Sequence, residues 1–209
     1  MVKPSIIVLS WVIGMFFVSP GCSHVAAQAE SENESLRVLV AYHSSSGNTA
    51  EMAKSVVAGA QSVPGTSVLL QSVKDVTAEV LFGSDALVVG SPVYWSNMSG
   101  EVKAFFDRWQ FEFGVFPELK MRNKVGAAFA TGGQVSSGKE VTMLTILAAM
   151  LGNRMIIVSD GGSFGASATT EGDSPGINDA ERAGAWALGK RVAEVGWIMK
   201  RGQAIPPPP

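Results

Sequence analysis

A doubly wound α/β fold, with five parallel strands in one sheet and helices on both faces, is the class this sequence predicts. Three observations carry it. Short aliphatic runs alternate with longer amphipathic ones from residue 36 onward, the pattern of successive βαβ units. A β-type run, a short hydroxyl-rich loop and a helical pattern follow one another over residues 36–61. The loops after the third and fourth aliphatic runs are rich in glycine, hydroxyls or aromatics, as expected where ligands bind beyond the carboxyl ends of strands.

The first strand is predicted at 36–42, an aliphatic run ending in Tyr42, and the first helix at 49–61, opening after the serine loop. A second strand at 67–71 leads to a short helix at 76–82. The third strand, 86–90, ends at Gly90, and a proline-containing loop carries the chain into a helix at 100–109. The fourth strand, 124–130, runs into paired glycines before a helix at 140–151. A fifth strand at 155–158 precedes a glycine-rich stretch, 161–177, long enough to be functional or to cover a site, and a last helix occupies 179–195. With 209 residues, 46% hydrophobic and 16% charged, the chain suits one domain with a sizeable core; it has no internal repeat and no second domain.

The ends read differently. Residues 1–29 have a short basic start, an apolar run over 6–18, a Ser19-Pro20-Gly21 break and small residues up to Ala29, which together form a secretory signal too short to span a bilayer comfortably. Two processing outcomes compete: cleavage after Ala29 to a soluble exported protein, or acylation of Cys22 as a membrane-anchored lipoprotein. Ser19 and Pro20 depart from the usual lipoprotein pattern, and an uncleaved anchor is a third outcome. Residues 30–35 are a polar lead-in, 36–200 the folded domain, and 201–209 a proline-rich tail. The expected location is therefore periplasmic or membrane-anchored, and cytoplasmic if the start lies too far upstream. Cys22 is the sole cysteine, so the domain holds no disulfide, no CxxC metal site and no thiol nucleophile. Beyond residue 29, where Lys3 is the one charge lost, 15 basic face 18 acidic residues, a net charge of -3. That mild balance gives no reason to expect a nucleic-acid partner.

Three loops carry the chemistry. Ser44, Ser45, Ser46, Gly47, Asn48 and Thr49 lie between the first strand and a helix N-terminus, where exposed N–H groups and the helix dipole suit a phosphate. The loop lacks the lysine of a GxxxxGK[ST] nucleotide loop and has too few glycines for GxGxxG, which leaves a cradle for a terminal phosphate monoester; an ordinary turn and cap is the competing reading. After the third strand, Pro92 holds a turn and Val93, Tyr94 and Trp95 form its tip, suited to stacking on a flat ring or to ordinary loop anchoring. After the fourth, Ala130, Thr131, Gly132, Gly133, Gln134 and Val135 let backbone approach a ligand or make a tight turn. His43 precedes the cradle, with its side chain expected to point away from the ligand. Asp107 and Arg108 read as a solvated face, and Trp109, Phe111, Phe113 and Phe116 as an aromatic cluster for core packing or a subunit contact.

The arrangement Ser44-x-x-Gly47-x-Thr49, then Gly90-x-Pro92 with Asn97-Met98-Ser99-Gly100, then Thr131-Gly132-Gly133, resembles flavodoxin-like proteins and, within them, WrbA-type NAD(P)H:quinone oxidoreductases. The resemblance covers about residues 36–197. It implies a sheet of order 2-1-3-4-5 and noncovalent FMN, with Ser44 to Thr49 on the ribityl phosphate, Val93, Tyr94 and Trp95 bordering the isoalloxazine ring, and Ala130 to Val135 along its other edge. It further implies NAD(P)H as co-substrate, a quinone-like acceptor, and a homodimer or homotetramer with the pocket at a subunit boundary. Three departures stand out: Ser46 where the family has an aromatic that touches the nicotinamide, no histidine over 148–152 where the family has one facing the flavin, and no long insertion before the third strand. The expected function is an FMN-dependent oxidoreductase; a flavodoxin-type electron carrier is the alternative, against which the nearly balanced charge weighs, and a flavin-free scaffold is the third reading. An exported protein would lack the cytoplasmic nicotinamide donor and need another.

Overall fold

The computed structural model describes residues 35–173 and 176–203. The signal-like segment 1–29, the lead-in up to residue 34 and residues 204–209 of the tail lie outside the described residues. The elements are β1 (Leu36–Tyr42), α1 (Asn48–Gln61), β2 (Thr66–Ser72), α2 (Ala78–Gly83), β3 (Ala86–Tyr94), β4 (Asn97–Met98), α3 (Gly100–Phe111), β5 (Val125–Gly132), α4 (Lys139–Gly152), β6 (Ile156–Ile157), β7 (Ala166–Thr169) and α5 (Asp179–Gln203). The last helix extends well past the predicted 195 and takes in three residues assigned above to the tail.

The sheet runs β2-β1-β3-β5-β6 with parallel neighbours, which is the 2-1-3-4-5 order once the small β4 is set aside. Its central strands are buried on both faces and so read as continuous aliphatic runs; every residue of β5 is buried. One face packs against α1 and α5 through Met52, Val56, Leu188 and Val192. The other packs against α3 and α4 through Phe105, Trp109, Ile146 and Met150. Gly90 lies directly beneath the Phe129 ring, where an added Cβ would come within 2.0 Å of a ring carbon. A glycine crossing joins α1 to α5: a Cβ on Gly59 would lie 1.9 Å from the Trp186 carbonyl oxygen, and one on Gly189 would lie 1.9 Å from that of Val56. The helices touch backbone to backbone there, a closeness that any larger residue would forbid.

Two strand features differ from the sequence reading. β3 continues four residues past Gly90 to Tyr94 and folds back as a hairpin onto β4, with Val93 opposite Met98 and Tyr94 opposite Asn97. The fifth strand is split: β6 pairs with the start of β5 at Val125 and Gly126, and β7 with its end from Phe129 to Gly132. The intervening residues 158–165 loop out, and the chain returns at Gly165, whose φ of 131° and place against the Ala128 carbonyl exclude a side chain. Part of the stretch predicted as a glycine-rich loop is therefore sheet.

The expected aromatic cluster divides in two. Trp109 is buried against Phe105 and Phe106, while Phe111 and Phe116 are exposed. Phe113 lies under the Arg108 guanidinium, 4.6 Å from its centroid. Arg108 does not belong to a solvated face. It donates to the carbonyls of Val73, Lys74 and Val76 and to Glu112, tying α3 to the β2–α2 connection.

Candidate functional site

At the carboxyl ends of β1, β3 and β5, the three loops singled out in the sequence converge, and a fourth joins them. Gly47 takes a φ of 91° and its N–H donates to Ser44 Oγ at 3.1 Å, which turns the chain into α1. No side chain caps this helix. Its first turn closes with Glu51 N–H on the Gly47 carbonyl at 2.9 Å, and the N–H groups of Asn48, Thr49 and Ala50 donate to no described residue. Unpaired donors at the positive end of a helix form an anion site.

The second loop is the β3–β4 hairpin. Trp95 and Ser96 at its turn have φ of 51° and 61°, a conformation costly for side chains other than glycine or asparagine, and Trp95 is fully exposed. Tyr94 OH shares a 2.6 Å hydrogen bond with Ser45 Oγ, fastening the hairpin to the serine loop. His43 lies behind both: Nδ1 is 2.9 Å from Ser99 Oγ and 3.5 Å from Glu101, Nε2 is 3.4 Å from Ser45 Oγ, and the ring meets Tyr94 edge-on. It thus bridges the end of β1 to the start of α3, whose cap is Ser99.

The third loop leaves β5. Thr131 and Thr49 share a buried 2.8 Å hydroxyl contact that sets this loop against α1. Gly132 packs on Ser137, 2.1 Å from where a Cβ would fall, whereas Gly133 faces open space. Lys139, 4% exposed, holds the loop from beneath: its ammonium donates to the Gln134 carbonyl at 3.0 Å, the Val135 carbonyl at 2.9 Å and Thr169 Oγ1 at 2.8 Å. Ser137 Oγ is buried with no partner among the described residues.

The fourth loop, after β7, was flagged in the sequence only as a glycine-rich stretch. Thr170 N–H donates to the Gly132 carbonyl at 2.9 Å. Asn48 then clamps the loop to the cradle, its Nδ2 donating to the Asp173 carbonyl at 2.9 Å and to Ser46 Oγ at 3.2 Å, and its Oδ1 accepting from Gly176 N–H at 2.9 Å.

Together these loops enclose a cleft of about 220 Å³ lined by Ser46, Asn48, Pro92, Val93, Tyr94, Thr131, Gly132 and Gly133, with Thr170, Gly172 and Asp173 from the fourth loop. A second hollow of about 420 Å³ shares Val93 and Gly133 and adds Trp95, Ser96, Gln134, Ser136 and Ser137. Of the remaining sequence-predicted residues, Ser44, Ser45, Gly47 and Thr49 shape the cradle without lining either hollow. Ala130 is fully buried in the core, and Val135 is exposed outside, contributing its carbonyl to Lys139. Ser96, Ser136, Ser137, Lys139, Thr170, Gly172 and Asp173 were missed as site residues. No lysine or arginine lines the cleft. A larger groove of about 500 Å³ lies beside edge strand β2 and the short α2, away from the strand ends that carry these loops.

Among the described residues, neither hollow is lined by a cysteine or by an acid–base pair. The helix-start donors of the site suit a phosphate, and the adjoining cleft, with Tyr94 on one side and bare Gly133 on the other, suits a flat ring.

The NADPH-dependent FMN reductase family matches residues 71–170. The chain is 30% identical over 208 residues to an NAD(P)H dehydrogenase (quinone) 3 of Rhizobium meliloti (strain 1021), covering 80% of this chain and 95% of the relative. It is 33% identical over 172 residues to a flavodoxin of Aquifex aeolicus (strain VF5), covering 78% and 86%. Among solved structures, a flavodoxin, WrbA-like protein from Agrobacterium tumefaciens superposes with a TM-score of 0.67 at 24% identity, covering 79% of this chain and 99% of that one.

Proposed function

The chain belongs to the WrbA-type branch of the flavodoxin-like superfamily, whose members are FMN-dependent oxidoreductases, and from that premise we propose that it passes electrons from NAD(P)H to a quinone-like acceptor. The observation that carries the reading is the uncapped start of α1, where three N–H groups have no partner among the described residues, beside a cleft of about 220 Å³. The N–H groups of Asn48, Thr49 and Ala50, with the hydroxyls of Ser44, Ser45 and Ser46, would hold the FMN phosphate. Val93, Tyr94 and Trp95 would border one edge of the ring, and Thr131, Gly132, Gly133 and Gln134 the other. Bound there, the flavin supplies hydride acceptance and donation; the protein binds and orients it.

The rest of the site serves that orientation. The Ser45–Tyr94 bond and the Thr49–Thr131 bond fix the second and third loops to the first, so ring and phosphate sites keep one spacing. Gly133, with open space where a Cβ would stand, lets backbone lie against the ring, and Lys139 keeps the Gln134 and Val135 carbonyls turned inward and away from it. Ser46 replaces the aromatic that the family uses toward the nicotinamide, so the exposed Trp95 at the mouth is the aromatic surface offered to incoming substrates.

Electron carriage between proteins is the second reading. It is supported by the acidic first turns of α1, α3, α4 and α5, which bring Glu51, Glu101, Glu140, Asp179 and Glu181 to the cleft end, although the chain as a whole is nearly balanced. The test is steady-state oxidation of NADH and NADPH by the FMN-loaded protein with a benzoquinone. Turnover supports the enzyme. Bound flavin with no nicotinamide consumption refutes it and leaves the carrier.

A further inference from the structure

Lys139 is buried, yet among the described residues no carboxylate stands within ion-pair distance of it. An ammonium has three N–H donors, and the Gln134 carbonyl, the Val135 carbonyl and Thr169 Oγ1 take one each. Its hydrogen bonds are satisfied and its charge is not. A buried cation in that state is expensive to keep, and a negative charge brought in by a ligand would offset the expense.

The charge lies directly beneath the surface offered to the ring. A Cβ on Gly132, which lines the first hollow, would fall 3.2 Å from Lys139 Cγ, and Gln134, whose carbonyl the ammonium holds, lines the second. One layer of peptide separates the lysine side chain from both hollows. That layer is oriented. In a planar trans peptide the carbonyl and the following N–H point opposite ways, so holding the Gln134 and Val135 carbonyls inward turns the Val135 and Ser136 N–H groups outward. Neither donates to a described residue. Carboxylates stand nearby: Asp173 lines the first hollow, Glu140 follows Lys139 in the first turn of α4, and Glu181 lies beyond Thr169, its Oε1 accepting the Thr169 N–H at 2.7 Å. Arg182, next to Glu181, pairs instead with Glu51.

Resting on the FMN reading, we propose that Lys139 is a positioning residue that makes the site prefer reduced over oxidised flavin. Reduction by NAD(P)H transfers a hydride, two electrons with one proton, and releases NAD(P)+; the pyrimidine edge of the flavin then carries a negative charge that the oxidised ring lacks. The nearby carboxylates repel that charge. Lys139 counters them twice, with its own charge across one peptide layer and with the two N–H groups it turns outward. Burial keeps solvent ions from screening the effect. A lysine that merely tethered the loop would act equally on both oxidation states.

The test is a reductive titration of the FMN-loaded full chain against a reference dye, beside the same titration of free FMN. The shift between the two potentials gives the ratio of the dissociation constants of oxidised and reduced FMN. Lys139→Gln keeps an amide donor for the carbonyls and removes the charge; it should lower that ratio about tenfold, which for a two-electron couple is a fall of about 30 mV. Glu181→Gln removes an opposing charge with Lys139 in place and should raise the ratio about threefold, which tests the charge even where Lys139→Gln does not fold. Equal weakening of oxidised and reduced FMN in Lys139→Gln overturns the proposal, as does a ratio that does not rise in Glu181→Gln. A wild type that binds no FMN refutes the cofactor reading itself, and the proposal with it.

Discussion

Replacing FMN by riboflavin removes the phosphate alone, and the structure sets how much binding should go with it. The cradle offers three N–H groups without partners among the described residues, on Asn48, Thr49 and Ala50, at the positive end of a fourteen-residue helix. Each charge-assisted bond contributes about 1.5 kcal/mol, the low end of its range, because Ser45, Ser46 and Gly47 leave the rim open to water. The helix dipole adds about 0.5 kcal/mol in such a setting. Subtracting about 1 kcal/mol for ordering the loop hydroxyls leaves roughly 4 kcal/mol, a ratio near a thousandfold between the two dissociation constants. Quenching of flavin fluorescence on titration with apoprotein measures both. Since a phosphate monoester loses its second charge below about pH 6, the ratio should narrow there, and since no lysine or arginine lines the cleft, added salt should change it little. Riboflavin binding within tenfold of FMN at neutral pH would refute the assignment of the phosphate to this helix.

Three further outcomes follow from packing and charge. Gly90→Ala drives a methyl into the Phe129 ring and should cost about 3 kcal/mol in urea unfolding, with Phe129→Leu restoring part of it; an unchanged midpoint would mean the ring is free to move aside. Lys139→Met leaves two carbonyls of the third loop without donors and should cost about 3 kcal/mol as well as weaken FMN binding, so a folded variant of wild-type stability and affinity would remove the lysine from its supporting role. The Glu51 carboxyl is held below its ordinary 4.5, first by its hydrogen bond from Lys54 and then by Arg182, against the opposing pull of partial burial. Its folded value is the depressed one, so its stabilisation is complete above 4.5 and fades as pH falls through the lower folded value. The margin of the wild type over Glu51→Gln should be level near neutrality and shrink in acid; a margin that does not vary with pH would contradict this.

The sheet was legible because parallel central strands are aliphatic throughout, and β1 matches its predicted span. The cradle was legible because a strand, a serine loop and a helix start are contiguous in the chain. What was missed depends on contacts distant in sequence. The hairpin at Trp95-Ser96 uses a turn that ordinarily announces itself with asparagine or glycine, and neither residue is present there. The fourth loop lines the cleft because Asn48 reaches residues more than a hundred positions away. Splitting of the fifth strand left two pieces, one of two residues and one of four with the unremarkable sequence Ala-Ser-Ala-Thr, too short for alternation to register. Lys139 falls just before the predicted helix at 140–151 and was not singled out, since nothing in a sequence distinguishes an ammonium that will be surrounded by carbonyls from one that will face water.

The glycine crossing between α1 and α5 bears on how fast a cofactor arrives. With Gly59 and Gly189 locking the two helices backbone to backbone, the three waiting donors are carried by a stiff pair of rods and not by a pliable loop. The cradle is consequently already in its receiving shape, and uptake should proceed at the pace of molecular encounter, without a slow rearrangement on the way.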